Sequence, residues 1–398
     1  MPRPHPSCSS GFTDPRPCSC SSGQRCYRPS SPRLCPWPTA WQLLPVLLVL
    51  ALGIFATGFG PPAIVESSDA TDPLYAYQVS LAQRLAAPSV GARGAVVMDE
   101  ATGQILFGKD ERRRLPMAST TKIMTALLAL ERGQLSEVVS VDVNAAEMPD
   151  SSTMGLTPGE RLTLEDLLYG LLLPSGNDAA VAIARAIAGS EPAFVDLMNR
   201  RAAELGLADT HFANPHGLDA PDHYTSAADL ARLARVALRN PAFARIVATR
   251  HKIVQGRATY DLTNTNPLLG RPDVEGVKTG HTDQAGSCLV VAFRRDGHRV
   301  LTVVLNSPDY VADSLALADY AFAAYAWPTL SLPDGPLDRD PATGSLSVTL
   351  GQQPPVVLPA WQVPLLRVDL PAGAGEARFS VAGSPVATVP LAGTAPAR

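Results

Sequence analysis

Beyond residue 35 the chain contains one cysteine, Cys288, so no disulfide framework can hold its fold. The other five (Cys8, Cys18, Cys20, Cys26, Cys35) crowd into a tail rich in Pro, Ser and Arg, where their irregular spacing does not read as a zinc site. The seven histidines show no His-Glu-x-x-His or comparable ligand spacing, which argues against a metal mechanism, and no cofactor is implied. A basic surplus is missing as well. Formal net charge is -4, and past the first 63 residues 28 basic groups face 36 acidic ones, so nucleic acid is not an expected partner. Internal repeats are not evident. What is present is a chain of 398 residues, 46% hydrophobic and 18% charged, with room for one large domain or two moderate ones.

Residues 1–40 read as a disordered tail. Residues 41–60 hold the uncharged apolar run Leu43 to Phe59, preceded by Arg28 and Arg33 and followed by Glu66, Asp69 and Asp72. That polarity predicts a signal peptide or a short membrane anchor, with everything after residue 60 outside the cytoplasm, and Ala56-Thr57-Gly58 offers small residues for cleavage. The protein is therefore expected to be exported, in contact with the membrane through this segment if it is not cleaved. Residues 61–74 read as a linker and Tyr75 to Ala87 as a helix.

A hairpin is predicted from Ala95 to Met98 and Gln104 to Phe107, helices over 164–173, 178–187, 191–205 and 227–238, strands over 274–279, 287–294 and 299–305, and a closing helix from Ala312 to Ala324. Strands at both ends with helices between them predict one α+β domain over residues 75–327, its antiparallel sheet assembled from distant segments. After Pro328 the composition shifts to Pro, Gly, Val and Leu with short alternating runs, so residues 328–398 read as a small β-rich domain. Pro390 and Pro396 interrupt any helix at its end.

Three stretches carry chemistry. In Pro116-Met117-Ala118-Ser119-Thr120-Thr121-Lys122-Ile123-Met124, apolar spacing predicts a helix starting near Ala118, with Ser119 and Lys122 three apart on one face. A serine hydroxyl needs a base, and a lysine serves as one only where apolar surroundings or a second cation keep it partly neutral. In Leu173-Pro174-Ser175-Gly176-Asn177-Asp178, at a junction of helices, Ser175 offers a hydroxyl for proton relay or simply a cap for the next helix, and Asn177 an amide for a lysine or a substrate carbonyl. In Gly276-Val277-Lys278-Thr279-Gly280-His281-Thr282, a strand presents a cation, a hydroxyl and a glycine that an extended peptide can approach; the bland alternative is an edge strand with a protective lysine.

Together, in this order, these stretches are the Ser-x-x-Lys, serine/asparagine and Lys-Thr-Gly elements of penicillin-binding proteins and class A β-lactamases. With Asn214-Pro215-His216-Gly217-Leu218-Asp219 and Asn264-Thr265-Asn266, the region 75–327 resembles the D-alanyl-D-alanine carboxypeptidases of peptidase family S11. The resemblance implies a penicillin-binding transpeptidase-like fold: an antiparallel sheet flanked by helices with an inserted helical subdomain, followed by a small C-terminal β domain. It implies Ser119 as nucleophile, Lys122 as its base, Ser175 as proton shuttle and Asn177 as a positioning group. Lys278 and Thr279 would hold the substrate's terminal carboxylate, Gly280 would leave the strand open to a peptide, and the N–H groups of Ser119 and His281 would form the oxyanion hole. The implied partners are a peptidoglycan stem peptide ending in D-Ala-D-Ala and β-lactam antibiotics, at the periplasmic or extracytoplasmic face of the cytoplasmic membrane. A D,D-endopeptidase would use the same residues. A β-lactamase of class A would carry Glu-x-x-x-Asn between Asn177 and Lys278, and none is there. A non-catalytic wall-binding module would not need all three elements intact. One departure stands out: many relatives carry an arginine in the loop after the final sheet strand, whereas here residues 306–313 contain no basic residue.

Overall fold

The computed structural model describes residues 87–332, 348–371 and 375–393. The N-terminal tail, the apolar run, the linker and all but the last residue of the helix expected over 75–87 lie outside them. Among the described residues no helix is long and apolar enough to cross a membrane.

The architecture is α+β. Five antiparallel strands, β1 (Gly94–Asp99), β2 (Ile105–Lys109), β7 (Val274–Thr282), β8 (Gly286–Arg295) and β9 (His298–Ser307), lie in the order β2-β1-β9-β8-β7. The N-terminal hairpin thus docks on a strand from the far end, Gly94 opposite Leu305 and Asp99 opposite Val300. The Asp296-Gly297 turn between β8 and β9 has both residues at positive φ, as a tight two-residue hairpin requires. Side chains alternate between two cores, as period two dictates. Val96, Met98, Val290, Ala292, Leu301 and Val303 face the helical half, while Ala95, Val97, Leu289, Val291, Val300 and Val304 pack under the closing helix against Leu317, Ala318 and Ala321.

The helical half holds α1 (Lys122–Arg132), α2 (Leu164–Leu172), α3 (Asn177–Ala188), α4 (Glu191–Glu204), α5 (Ala227–Leu238) and α6 (Pro241–Val247), and α7 (Tyr310–Ala324) closes the sheet's other face. Caps set their starts: Thr163 and Asp166 form a reciprocal capping box on α2, and Ser190, Ser226 and Asn240 cap α4, α5 and α6. Two antiparallel strand pairs outside the predicted strands lie in this half, β3 (Val138–Ser140) with β4 (Arg161–Thr163), and the hairpin of β5 (His251–Gln255) with β6 (Thr259–Thr263).

A second sheet follows, built from β10 (Val348–Leu350), β11 (Leu366–Asp369), β12 (Glu376–Val381) and β13 (Ser384–Gly393) in the order β10-β13-β12-β11. It has its own core of Ala377, Phe379, Val381 and Val389. The segment interrupted by Pro390 is a strand, β13, rather than a helix.

Candidate active site

The start of α1 differs from the helix expected over it. Ala118–Thr121 form a 3-10 turn, and the α-helix begins only at Lys122. Ala118 sits at φ +48°, a left-handed conformation that costs a non-glycine residue stability unless its surroundings hold it. They do. The Thr121 hydroxyl donates to the Ala118 carbonyl at 2.8 Å and the Thr120 hydroxyl to the Met117 carbonyl at 2.6 Å. Against the same carbonyl lies Gly217, where an added Cβ would fall 2.0 Å from the Ala118 oxygen. His223, buried, accepts the Ala213 N–H on Nδ1 at 2.9 Å, so Nε2 carries the proton and donates to Thr121 Oγ1 at 2.8 Å. Burial keeps this ring neutral, its pKa lowered to about 4. Thr125 bonds the Pro215 carbonyl at 2.6 Å. The Asn214-Pro215-His216-Gly217 stretch is therefore a brace for the turn that carries Ser119.

Lys122 is fully buried, and its Nζ has three partners: Ser119 Oγ at 2.8 Å, Asn177 Oδ1 at 2.6 Å and the His216 carbonyl at 2.7 Å. Its pKa lies well below the ordinary lysine range, first because burial penalises the ammonium, then because Lys278 is a second cation nearby; Asp178 opposes both. Both conditions that the sequence argument demanded of a lysine base are met at this atom.

Asn177 and Asp178 open α3. The cap of α3 is Gly176 and no side chain caps it, so the capping alternative for Ser175 does not hold. Ser175 sits at φ +69°, buried, with a hydroxyl that has no partner, on the wall of the cavity that contains Ser119. Asp178, also buried, accepts four backbone N–H groups at 2.9 Å each: Met154 and Ala179 on Oδ1, Gly155 and Leu156 on Oδ2. The Asn177 N–H reaches the Ser152 carbonyl at 2.8 Å. The segment 152–156, which contributes Ser152 to the cavity wall, is thus tied to the serine/asparagine turn. Sequence reasoning passed over Asp178, since an acidic residue in a first helical turn is commonplace.

Strand β7 is an edge of the sheet, yet Lys278 is no protective edge lysine: it is 1% exposed and turned inward, its Nζ 2.9 Å from the Thr279 carbonyl and 3.5 Å from Thr279 Oγ1. Burial lowers its pKa to about 7. Thr279 Oγ1 is 2.7 Å from Thr265 Oγ1, and the Thr265 N–H bonds the Leu173 carbonyl at 3.1 Å. Gly280 lies over the serine turn, where an added Cβ would stand 3.0 Å from the Ser119 nitrogen and 3.1 Å from the Met117 oxygen. His281 is exposed beside it, its ring 3.3 Å from Ser287 Oγ. Arg294 and Arg295, on the neighbouring strand β8, are engaged elsewhere, with Glu275 and with Asp273 and Asp319.

A cavity of about 310 Å³ collects Ser119, Ser175, Thr279, Gly280 and His281, together with Ser152, Thr265, Ser287, Cys288 and Tyr310. Lys122, Asn177 and Lys278 stand behind it, each bonded to one of its lining residues or to the base itself. The arrangement can deprotonate a hydroxyl, receive an anion and admit an extended chain along β7.

The family model for D-alanyl-D-alanine carboxypeptidase, Peptidase_S11, matches residues 81–309. D-alanyl-D-alanine carboxypeptidase DacF of Bacillus subtilis is 35% identical over 291 residues, 70% of this chain and 71% of that protein. DacD of Escherichia coli, also a D-alanyl-D-alanine carboxypeptidase, is 39% identical over 235 residues; the match spans 56% of this chain and 60% of that relative's length. Among solved structures, the Streptomyces K15 DD-transpeptidase superposes with a TM-score of 0.56 at 33% identity, covering 59% of this chain and 98% of that one. The matched span takes in the serine turn, the α3 junction and β7 alike, and with it the sheet that brings them together: the chain belongs to the peptidase S11 family of D-alanyl-D-alanine carboxypeptidases.

Proposed function

We propose that this protein is a serine-type D-alanyl-D-alanine carboxypeptidase that removes the terminal D-alanine from peptidoglycan pentapeptides through an acyl-enzyme on Ser119. The observation that carries the reading is the buried, charge-depressed Lys122 amine 2.8 Å from Ser119 Oγ. In this mechanism neutral Lys122 takes the Ser119 proton as Oγ attacks the carbonyl of the penultimate D-alanine. The oxygen's developing charge is met by the N–H groups of Ser119 and His281, in the space that Gly280 leaves open. The proton passes to the leaving amine by way of the unpartnered Ser175 hydroxyl, and free D-alanine departs. Water then attacks the ester, gives a proton back along the same route, and Ser119 is restored. Asn177 holds the lysine's position, while Lys278 and Thr279 hold the terminal carboxylate. β-Lactams enter the same route as far as the ester.

On this reading the N-terminal apolar run directs the protein out of the cytoplasm, to where peptidoglycan lies. Residues 75–327 are the catalytic domain and 328–398 a separate, non-catalytic module. The test is intact mass spectrometry of the protein with penicillin and, separately, with a pentapeptide. A covalent adduct in the first case and loss of one D-alanine in the second are expected; a protein that gives neither is not a D,D-peptidase.

A further inference from the structure

The anion end of the cavity is short of charge. Residues 306–313 bring no cation to it, and Arg294 and Arg295 are committed to carboxylates of their own. Lys278 is the ammonium at this end, and it is partly spent on the Thr279 carbonyl. A second hydroxyl stands beside Thr279, however. Thr265 Oγ1 is 2.7 Å from Thr279 Oγ1, both side chains line the cavity that holds Ser119, and the spacing is somewhat wider than that between the two oxygens of one carboxylate, so each hydroxyl can face one of them. We propose that Thr265 reads the terminal carboxylate jointly with Thr279, one hydroxyl donating to each oxygen. This rests on the carboxypeptidase reading above and names a residue that it leaves without a role.

Proton counting supports the pairing. Two hydroxyls at hydrogen-bond distance share one hydrogen and keep one free, and both rotors turn at little cost. An arriving carboxylate offers acceptors on both oxygens, so each hydroxyl turns outward, and two parallel charge-assisted bonds replace one neutral one. Thr265 is also held for the task. Its N–H is bonded to the Leu173 carbonyl, two residues before Ser175. Asn264 Nδ2 bonds the Val247 and Thr249 carbonyls, and the Asn264 and Asn266 side chains accept the N–H groups of Asn266 and Leu268. The hydroxyl pair and the Ser175 turn are therefore parts of one braced unit. A leaving D-alanine has its amine at one end and its carboxylate at the other, and this unit offers a partner to each.

The experiment measures acylation of wild type and of Thr265→Val, Thr265→Ser and Thr279→Val by benzylpenicillin and by its methyl ester, which has no free carboxylate. Thr265→Val is isosteric and removes only the hydroxyl. It is expected to slow acylation by the acid about tenfold or more and by the ester less than about threefold, while Thr265→Ser stays within about threefold of wild type on both. Equal losses on acid and ester, or a Thr265→Ser variant as slow as Thr265→Val, would overturn the assignment. A wild-type protein that neither compound acylates would instead sink the carboxypeptidase reading itself.

Discussion

Asp178→Asn removes a single negative charge from a buried residue outside the cavity lining, and its effect can be worked out in advance. The carboxylate accepts four backbone hydrogen bonds of 2.9 Å, two on each oxygen, three of them from the segment 154–156. An asparagine keeps one oxygen and turns an NH2 group toward two N–H donors. At about 1.5 to 3 kcal/mol for each hydrogen bond to a charged group, losing two costs about 3 to 6 kcal/mol if the segment stays in place. The segment can instead lift away and rehydrate its amides, so the loss is shared between stability and site geometry. At about 2 to 4 °C for each kcal/mol in a domain of this size, the melting temperature should fall by at least about 5 °C. Ser152 leaves the cavity wall with the segment, and the Asn177 N–H loses its partner. Asp178 also raises the Lys122 pKa, so its removal lowers that pKa further. The expected signature is a lower melting temperature, a fall in kcat/KM of about tenfold or more, and an ascending limb of the pH profile displaced to lower pH. Thermal unfolding with steady-state kinetics on a D-Ala-D-Ala peptide measures all three. A variant with the wild-type melting temperature and an unmoved limb would refute the argument that the carboxylate clamps the segment and biases the lysine.

Ser119→Ala should abolish both penicillin adduct and peptide hydrolysis while the circular dichroism spectrum is retained; a surviving stable adduct would place the nucleophile elsewhere. Gly280→Ala brings a methyl to 3.0 Å from the Ser119 nitrogen, and acylation should slow by about a hundredfold, the scale of losing an oxyanion donor, with little change in melting temperature. Thr279→Val should lower kcat/KM about tenfold or more for peptides ending in a free carboxylate and little for amidated ones, as measured on matched peptides. The kcat/KM profile should rise as Lys122 loses its proton and fall as Lys278, near 7 in the empty cavity, loses its own. A bound carboxylate favours the ammonium, so the falling limb of kcat lies at higher pH than that of kcat/KM. For stability the sign is opposite: with the Lys278 pKa lowered from 10.5 to about 7, the native state holds fewer protons than the unfolded one between those values. Its contribution therefore rises with pH across that window and is absent below it, which denaturant titrations at pH 7 and 9 would read.

Helices α2 to α5 and strands β7 to β9 lie close to their predicted spans because each is long, periodic and punctuated by Pro, Gly or a capping side chain. The turn at Ala118–Thr121 was not legible, because its left-handed residue is held from outside by Gly217 and His223, about a hundred positions away. Helix α6 did carry a local signal, Asn240 before Pro241, but it is only seven residues long. In the β5–β6 hairpin only β6 alternates, with Tyr260 and Leu262 buried between polar residues; β5 reads His-Lys-Ile-Val-Gln and leaves Ile253 exposed, so one short strand of the pair carries the pattern. Of the site, the Ser119–Lys122 spacing foretold a real contact, and composition sharpens it in hindsight. The chain has only four lysines among 33 basic residues, and two of them are the buried pair Lys122 and Lys278. An arginine cannot be deprotonated at the first of these positions. Asp178 and Thr265 were invisible as functional residues because their partners come from segments distant in sequence.

The pairing of β1 with β9 also bears on when this protein acquires its reactivity. Asp99 and Val300 face each other across about 200 residues of chain. At 5–20 residues per second a ribosome needs roughly 10 to 40 s to make that stretch, during which one edge of β1 has no neighbour. Sheets closed over such separations form slowly, since the entropy of the loop must be lost before the contacts that reward it exist. Ser119 and Lys122 are made early, but the strand that carries Lys278, Thr279 and Gly280 arrives about 155 residues later. Until then the lysine has neither the burial nor the second cation that lower its pKa, and the serine beside it is an ordinary alcohol. A chain stopped near residue 270 should therefore contain both Ser119 and Lys122 and still be inert toward penicillin; reactivity belongs to the finished sheet.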